Sequence, residues 1–268
     1  MVIRPIQRWA LPGKASWLAR RRRPGAAAPE IWPTTAERFA EMSQFSGNLT
    51  SMYLYTAGDG ENELDLIGTN HASPSGTFVT RGELDAGLGT LAASAANNVD
   101  ANLTAGDFLD SDASTSVAAV FTARFLSAPT AGQQHQAFGK YNGSGSGWAL
   151  RVRPTGLFVF MTDGDLSFAV ADSANFFDGR VVHGLLKINR TTDRAQLFTT
   201  VIDGEEIDIS AKGSYGNAAG FSIFGGGGNS PAQVMGFLAL LSGADAEAIT
   251  MTHVDNFLAA QQAAGAPF

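Results

Sequence analysis

Carboxylates two residues apart, at Glu206 and Asp208 and again at Glu83 and Asp85, fall on one face of an extended strand. A retaining glycosidase needs a nucleophile and a general acid across a glycosidic bond, so such a pair is the first chemistry to consider. His71, His135, His183 and His253 are far apart, with no i, i+2 or i+4 spacing that would bind a metal, and His183 reads as a core or strand-edge residue. No Ser, His and Asp arrangement suggests a nucleophile. Asp163-Gly164-Asp165 can lend oxygens to Ca2+, the one cofactor left open, but the same three residues also make an ordinary turn. Gly225–Gly228 is followed by Asn229 rather than by the Lys-Ser/Thr of a phosphate-binding loop, and reads as a bend. Near the N-terminus, Arg20, Arg21, Arg22 and Arg23 lie among Trp9, Trp17 and Trp32, and these two residue types most often anchor interfaces.

The elements that would position these groups are strands. In Gly147–Arg153, Trp148, Leu150 and Val152 point to one face and Ala149, Arg151 and Arg153 to the other, a core side and a wet side. Pro154-Thr155-Gly156 reverses the chain and Leu157–Met161 returns as the partner. In Ser114–Leu126, Val117, Ala119, Phe121, Ala123 and Phe125 share a face, as a central strand requires. Further strands are expected at Val181–Ile188, Ala195–Val201, Glu206–Ala211, Phe221–Phe224 and Val234–Leu241, with weaker ones at Ser51–Thr56, Gly76–Thr80 and Gly89–Ala93. Leu166, Phe168 and Val170 alternate inward, and a helix starts near Thr252–Asp255. Strands about 8 to 12 residues apart with polar turns between them are a sandwich or barrel signature.

The run Gly139-Lys140, Gly147-Trp148-Ala149-Leu150, Asp178-Gly179 to His183, Asp203-Gly204-Glu205, Phe224–Gly228 and Ala246–Ile249 resembles the laminin-G-like, concanavalin A-like family, with Asp65–Ala72 similar to its opening. The resemblance spans about residues 48 to 262 and implies an all-β fold, an antiparallel jelly-roll β-sandwich. His183 falls where the family carries a strand histidine, but Val182 replaces the tryptophan that precedes it. β-Glucanases of that fold carry E-x-D-x-E or E-x-D-x-x-E on one strand. Here Ser210 and Ala211 follow Glu206 and Asp208, and Gly87 and Leu88 follow Glu83 and Asp85, so the second carboxyl is missing and no catalytic residue is assigned. The resemblance makes glycan binding natural for the fold, with exposed loop aromatics as the usual sugar platform, for which Tyr141 and Tyr215, in Gly-rich turns, are the candidates.

Charge divides the chain. Residues 1–47 carry a net +5 and the remainder −12, within an overall −7. We read 1–47 as a basic, Trp-rich anchoring arm with a short helix at about 35–43, and 48–268 as the sandwich with its C-terminal helix. No run of about 18 apolar residues marks a membrane span, and the first residues lack the apolar core of a secretory signal. With no cysteine, the fold is held by core and sheet alone. An acidic body disfavours nucleic acid as a partner. The expectation is a non-enzymatic bacteriophage virion protein assembled in the host cytoplasm. It would be a decoration, fibre or tail-associated subunit, docked on other virion proteins and sister copies through Trp9, Trp17, Arg20–Arg23 and Trp32, with surface-glycan binding natural for the fold. The alternative is an exported bacterial carbohydrate-binding or adhesion module.

Overall fold

Alternating apolar side chains on Gly147–Arg153 and Gly156–Thr162 pair Trp148 with Met161, Leu150 with Val159 and Val152 with Leu157, all facing one core. The computed structural model describes residues 49–53, 65, 69–75, 80–84, 88–93, 102–105, 107–112, 114–125, 128–130, 134–141, 146–162, 166–167, 176–200, 205–211, 213–216, 220–223 and 233–263. The arm with its short helix, Asp163, Asp165 and Gly225–Gly228 lie outside these residues.

The strands begin with β1 (Leu49–Tyr53), β2 (Ser73–Ser75), β3 (Thr80–Leu84), β4 (Leu88–Ala93) and β5 (Asn102–Thr104). The middle of the chain supplies β6 (Val117–Phe125), β7 (His135–Lys140), β8 (Gly147–Arg153), β9 (Gly156–Thr162) and β10 (Leu166–Ser167). Then follow β11 (Val181–Asn189), β12 (Arg194–Thr199), β13 (Glu205–Asp208), β14 (Ser222–Ile223) and β15 (Gln233–Ser242), and two helices, α1 (Gly243–Ala248) and α2 (Met251–Ala263).

One eight-stranded sheet runs β13, β12, β11, β6, β15, β4, β3, with β1 also paired to β15. A seven-stranded sheet runs β10, β9, β8, β7, β14, β5, β2. The pairings are antiparallel, and sequence neighbours often lie in different sheets: β5 and β7 flank β14, while β6 sits between β11 and β15 in the other sheet. This is the crossing pattern of a jelly-roll sandwich. Between the sheets lie Val117, Ala119, Phe121, Val182, Leu186, Leu238 and Leu240 from one side, and Phe138, Trp148, Leu150, Val159 and Ile223 from the other. Gly184 pairs directly with Phe121, whose ring lies over it, so a side chain there would collide with the ring.

The strands expected at Gly89–Ala93, Ser114–Leu126, Val181–Ile188 and Val234–Leu241 are present within a few residues. One expectation shifts: the strand at Glu206–Ala211 ends at Asp208, where Ser210 N–H donates to Asp208 Oδ1 at 2.8 Å, folding the chain into a turn rather than extending it. The strand expected at Ser51–Thr56 is described from Leu49 to Tyr53 and that at Phe221–Phe224 at Ser222–Ile223, with residues 54–56 and Phe224 outside the described residues.

The outer face of the eight-stranded sheet is not wet. Ala118, Val120, Leu185, Ala239 and Leu241 are buried there. α1 packs on β6, β11 and β15, α2 packs on β11, and Phe257 of α2 meets the ring of Phe237 at 5.6 Å. Glu247 fixes α1 in place: its Oε1 accepts from Ser116 Oγ and Thr191 Oγ1, each at 2.7 Å. Lys187 Nζ donates to the carbonyls of Glu247 and Ile249, closing the α1 end over β11.

Candidate functional site

The other outer face, formed by β7, β8 and β9, carries a different chemistry. Inward-pointing Phe138, Leu150 and Val159 leave Gln136, Arg151 and Phe158 in register across its outside. Arg151 holds its guanidinium 4.7 Å from the ring centroid of Tyr141 and donates from Nη1 to Gln134 Oε1 at 3.1 Å. Arg153 lies 4.7 Å above the ring of Phe158. Burial pulls the Arg151 guanidinium down from its usual range, partly offset by the charge interaction and hydrogen bond with Tyr141. Gln136 Nε2 donates to Ser222 Oγ on β14 at 2.6 Å and to the Gly139 carbonyl at 3.3 Å, and its buried Oε1 accepts from no described residue. A bulge between Gln136 and Phe138 re-aims this strand at that point. Gly139 is required beside it: its φ is 148°, and a side chain would overlap the backbone of Trp148 and Ala149. Phe158 and Gln136 are buried, while Tyr141, Arg151 and Arg153 keep part of their surface, and guanidinium forks beside a phenol ring can hydrogen-bond hydroxyls and cover the C–H face of a sugar ring.

Tyr141, the sugar-platform candidate, is half-buried on this face beside Arg151. Tyr215 is not on it, which corrects the expectation of a second platform. Its ring is fully buried with Arg190 at 5.4 Å, and its N–H donates to the Ser111 carbonyl at 2.7 Å. A ring with no exposed surface has no face to offer a sugar. The sequence missed Arg151, Arg153, Gln136 and Phe158 as a group. Alternation alone places Arg151 and Arg153 on the wet side of the strand, and only the tight turn after Arg153 fixes the register that sets Phe158 opposite Arg151.

The carboxylate pair is committed elsewhere. Glu206 and Asp208 lie on the exposed edge strand β13, where Asp208 meets Arg194 Nη1 at 2.7 Å and Glu206 meets Arg194 Nε at 3.3 Å. Hydrogen bonds from Ser210, and then the Arg194 guanidinium, hold the Asp208 carboxyl far below the usual carboxylate range, the wrong direction for a general acid at neutral pH. These charges blunt a sheet edge. Asp85 and Gly87 lie outside the described residues.

The histidines do structural work in four separate places. His71 Nδ1 accepts from Asp65 N at 3.1 Å, beside a cluster in which Asp65 Oδ2 accepts from Ser51 Oγ at 2.9 Å and from Asn70 N at 3.1 Å. His253 Nδ1 accepts from Thr250 N at 3.2 Å, closing the first turn of α2. His183 is buried on the outer face of β11, with Nδ1 2.9 Å from Thr122 Oγ1. His135 points into the core opposite Val152 and has neither ring nitrogen hydrogen-bonded. Among the described residues no group of three His, Cys, Asp or Glu side chains could hold a metal ion.

No protein-family model matches the chain, and no curated protein does. Solved structures do match it. The receptor-binding domain of botulinum neurotoxin D aligns at TM-score 0.55 and 10% identity, over 78% of this chain and 53% of that one. The binding domain of Paraclostridial Mosquitocidal Protein 1 aligns at TM-score 0.52 and 13% identity, over 75% and 50%. Domain 4 of AbnA, a GH43 extracellular arabinanase from Geobacillus stearothermophilus, in complex with arabinotriose, aligns at TM-score 0.54 and 13% identity, over 78% and 98%. The fold is an antiparallel jelly-roll β-sandwich. Identities this low show the fold and nothing more, and the chain spans about half the length of the toxin binding domains it matches.

Proposed function

We propose that this sandwich is a non-enzymatic carbohydrate-binding module that takes a saccharide on the outer face of β7, β8 and β9. The carrying observation is the asymmetry of the two outer faces. Helices cover one with apolar contacts, while on the other Tyr141, Arg151 and Arg153 stay half-exposed above a buried Gln136 and Phe158. Its likeness to an arabinanase domain in complex with arabinotriose agrees with this reading. On a glycan array the full-length protein is expected to bind a limited set of oligosaccharides, and Tyr141→Ala to lose about tenfold or more of that affinity. An array without signal, or a Tyr141→Ala protein that binds as before, contradicts it.

A second reading rests on the charge division of the chain and concerns what carries the module. In it, residues 1–47 fasten the sandwich to other subunits of a bacteriophage virion through Trp9, Trp17, Arg20–Arg23 and Trp32, and the saccharide face serves host attachment. The +5 arm against a −12 body supports an arm that seeks acidic surfaces. Light scattering is expected to find an oligomer for the full chain and a folded monomer for a version starting at Ser46. Identical monomers would contradict the anchoring role.

A further inference from the structure

His183, Thr122 and Phe237 lie side by side on the outer face of the eight-stranded sheet, on β11, β6 and β15. Neighbouring strands are about 4.8 Å apart, so this row is about 10 Å wide, close to the diameter of one helix. α2 packs on β11 at one side of the row and sets Phe257 against Phe237 at the other, so it crosses β6 between them. His183 turns its ring towards that crossing, with Nδ1 2.9 Å from Thr122 Oγ1, and is buried there beside the apolar Leu185 and Val120. The charged groups around it come from five elements. β6 brings Arg124 and β11 brings Lys187, both on the same face as His183 and both repelling a second positive charge. β12 brings only Arg194, which is paired with Asp208 and Glu206, and β15 has no titratable residue. α1 brings Asp245 and Glu247, the latter held by Ser116 and Thr191, and α2 brings His253 and Asp255.

We propose that α2 is an acid-released cover: a proton on His183 undocks it from the sheet and bares the apolar layer around Phe237 and Leu185. The device lies on the sheet opposite the saccharide face and does not rest on that reading. Its sign follows from burial. The covered ring has its pKa pulled down to about 4, whereas an imidazole open to water titrates near 6.5. Between those values the covered state refuses a proton that the uncovered state takes, so docking weakens as pH falls through that window.

Amide hydrogen exchange of the full-length protein at pH 7 and pH 5, each corrected for the intrinsic rate at that pH, tests this. The opening equilibrium of α2 is expected to rise about tenfold or more at pH 5, while β6 and β11 keep their protection. His183→Gln keeps a hydrogen-bonding group beside Thr122 and cannot take the proton, and is expected to cut the rise to about threefold or less. His253 Nδ1 accepts from Thr250 N at the start of α2, so His253→Gln is the control and is expected to leave the rise in place. Linkage supplies a readout that does not need a His183 variant to fold. Phe257→Ala weakens docking and leaves His183 in the chain, so an NMR titration is expected to show the His183 midpoint moved up towards 6.5. Unchanged α2 protection at pH 5, a rise that persists in His183→Gln or vanishes in His253→Gln, or a rise shared equally by β6 and β11 overturns the proposal. So does a His183 midpoint that stays put in Phe257→Ala.

Discussion

His183 is 7% exposed, and burial pulls its pKa down to about 4. His135, 1% exposed, is shifted in the same direction for the same reason. In the unfolded chain both would titrate near 6.5, so above that pH each is neutral in both states and stability is at its full value. Below 6.5 the unfolded chain takes up protons that the fold refuses, and stability falls until the folded pKa is reached. For His183 the loss between pH 7.5 and 5 is about 2 kcal/mol. Carboxylates held low, such as Asp112 and Asp178, lose their contribution only at more acid pH, so this window isolates the histidines. Urea denaturation at the two pH values is expected to show this drop in wild type and much less of it in His183→Gln combined with His135→Leu. At pH 7.5 the His135→Leu change alone is expected to be neutral or stabilising by about 1 kcal/mol, since it removes two ring nitrogens without partners. A double variant with an undiminished acid loss would contradict the assignment.

At the scale of elements, the segment 107–112 closes one end of the sandwich and is pinned by two residues of the Gly-Lys and Gly-Trp pattern. Lys140, fully buried, donates from Nζ to Asp107 and Asp110, and Trp148 Nε1 donates to the Leu109 carbonyl at 3.0 Å. Between those pins Leu109 holds a φ of 63°, a left-handed conformation that costs a non-glycine residue about 1 to 2 kcal/mol. The two carboxylates are about half exposed, at 55% and 44%, and can return to water, whereas the ammonium cannot. Lys140→Met is therefore expected to cost less than Asp107→Ala with Asp110→Ala, which takes both carboxylates from a buried cation and should cost about 3 kcal/mol or more. The opposite order in equilibrium unfolding would show that the carboxylates, not the lysine, are the buried liability. The pattern itself was legible in the sequence. What it grips was not, because Asp107 and Asp110 lie about 30 residues upstream and no periodicity ties them to Lys140.

Across the whole molecule, the sequence reading found what local alternation encodes. The face shared by Val117, Ala119 and Phe121, the reversal at Pro154–Gly156 and the closing helix are all present. It went astray on β8, where Ala149 of the supposed wet side is fully buried, and it was silent on the outer face of β6, where Ala118 and Val120 are buried because α1 packs there, a contact between segments far apart in the chain. The candidate face was half legible: Tyr141 was singled out, but Arg151 and Arg153 acquire meaning only when the β8 and β9 register sets Phe158 beside them. Tyr215 misled because a glycine-rich context reads as exposed, while its neighbours Ser111 and Arg190 come from other segments. The central claim is therefore about location, that the part of the seven-stranded sheet carrying Tyr141, Arg151 and Arg153 is where a sugar binds. The most direct test is a backbone amide NMR titration with an oligosaccharide identified on the array. Shifts confined to β7, β8, β9 and Tyr141, with α1 and α2 unmoved, are the predicted result. Shifts confined instead to the helical face or to the 107–112 end of the sandwich would contradict it.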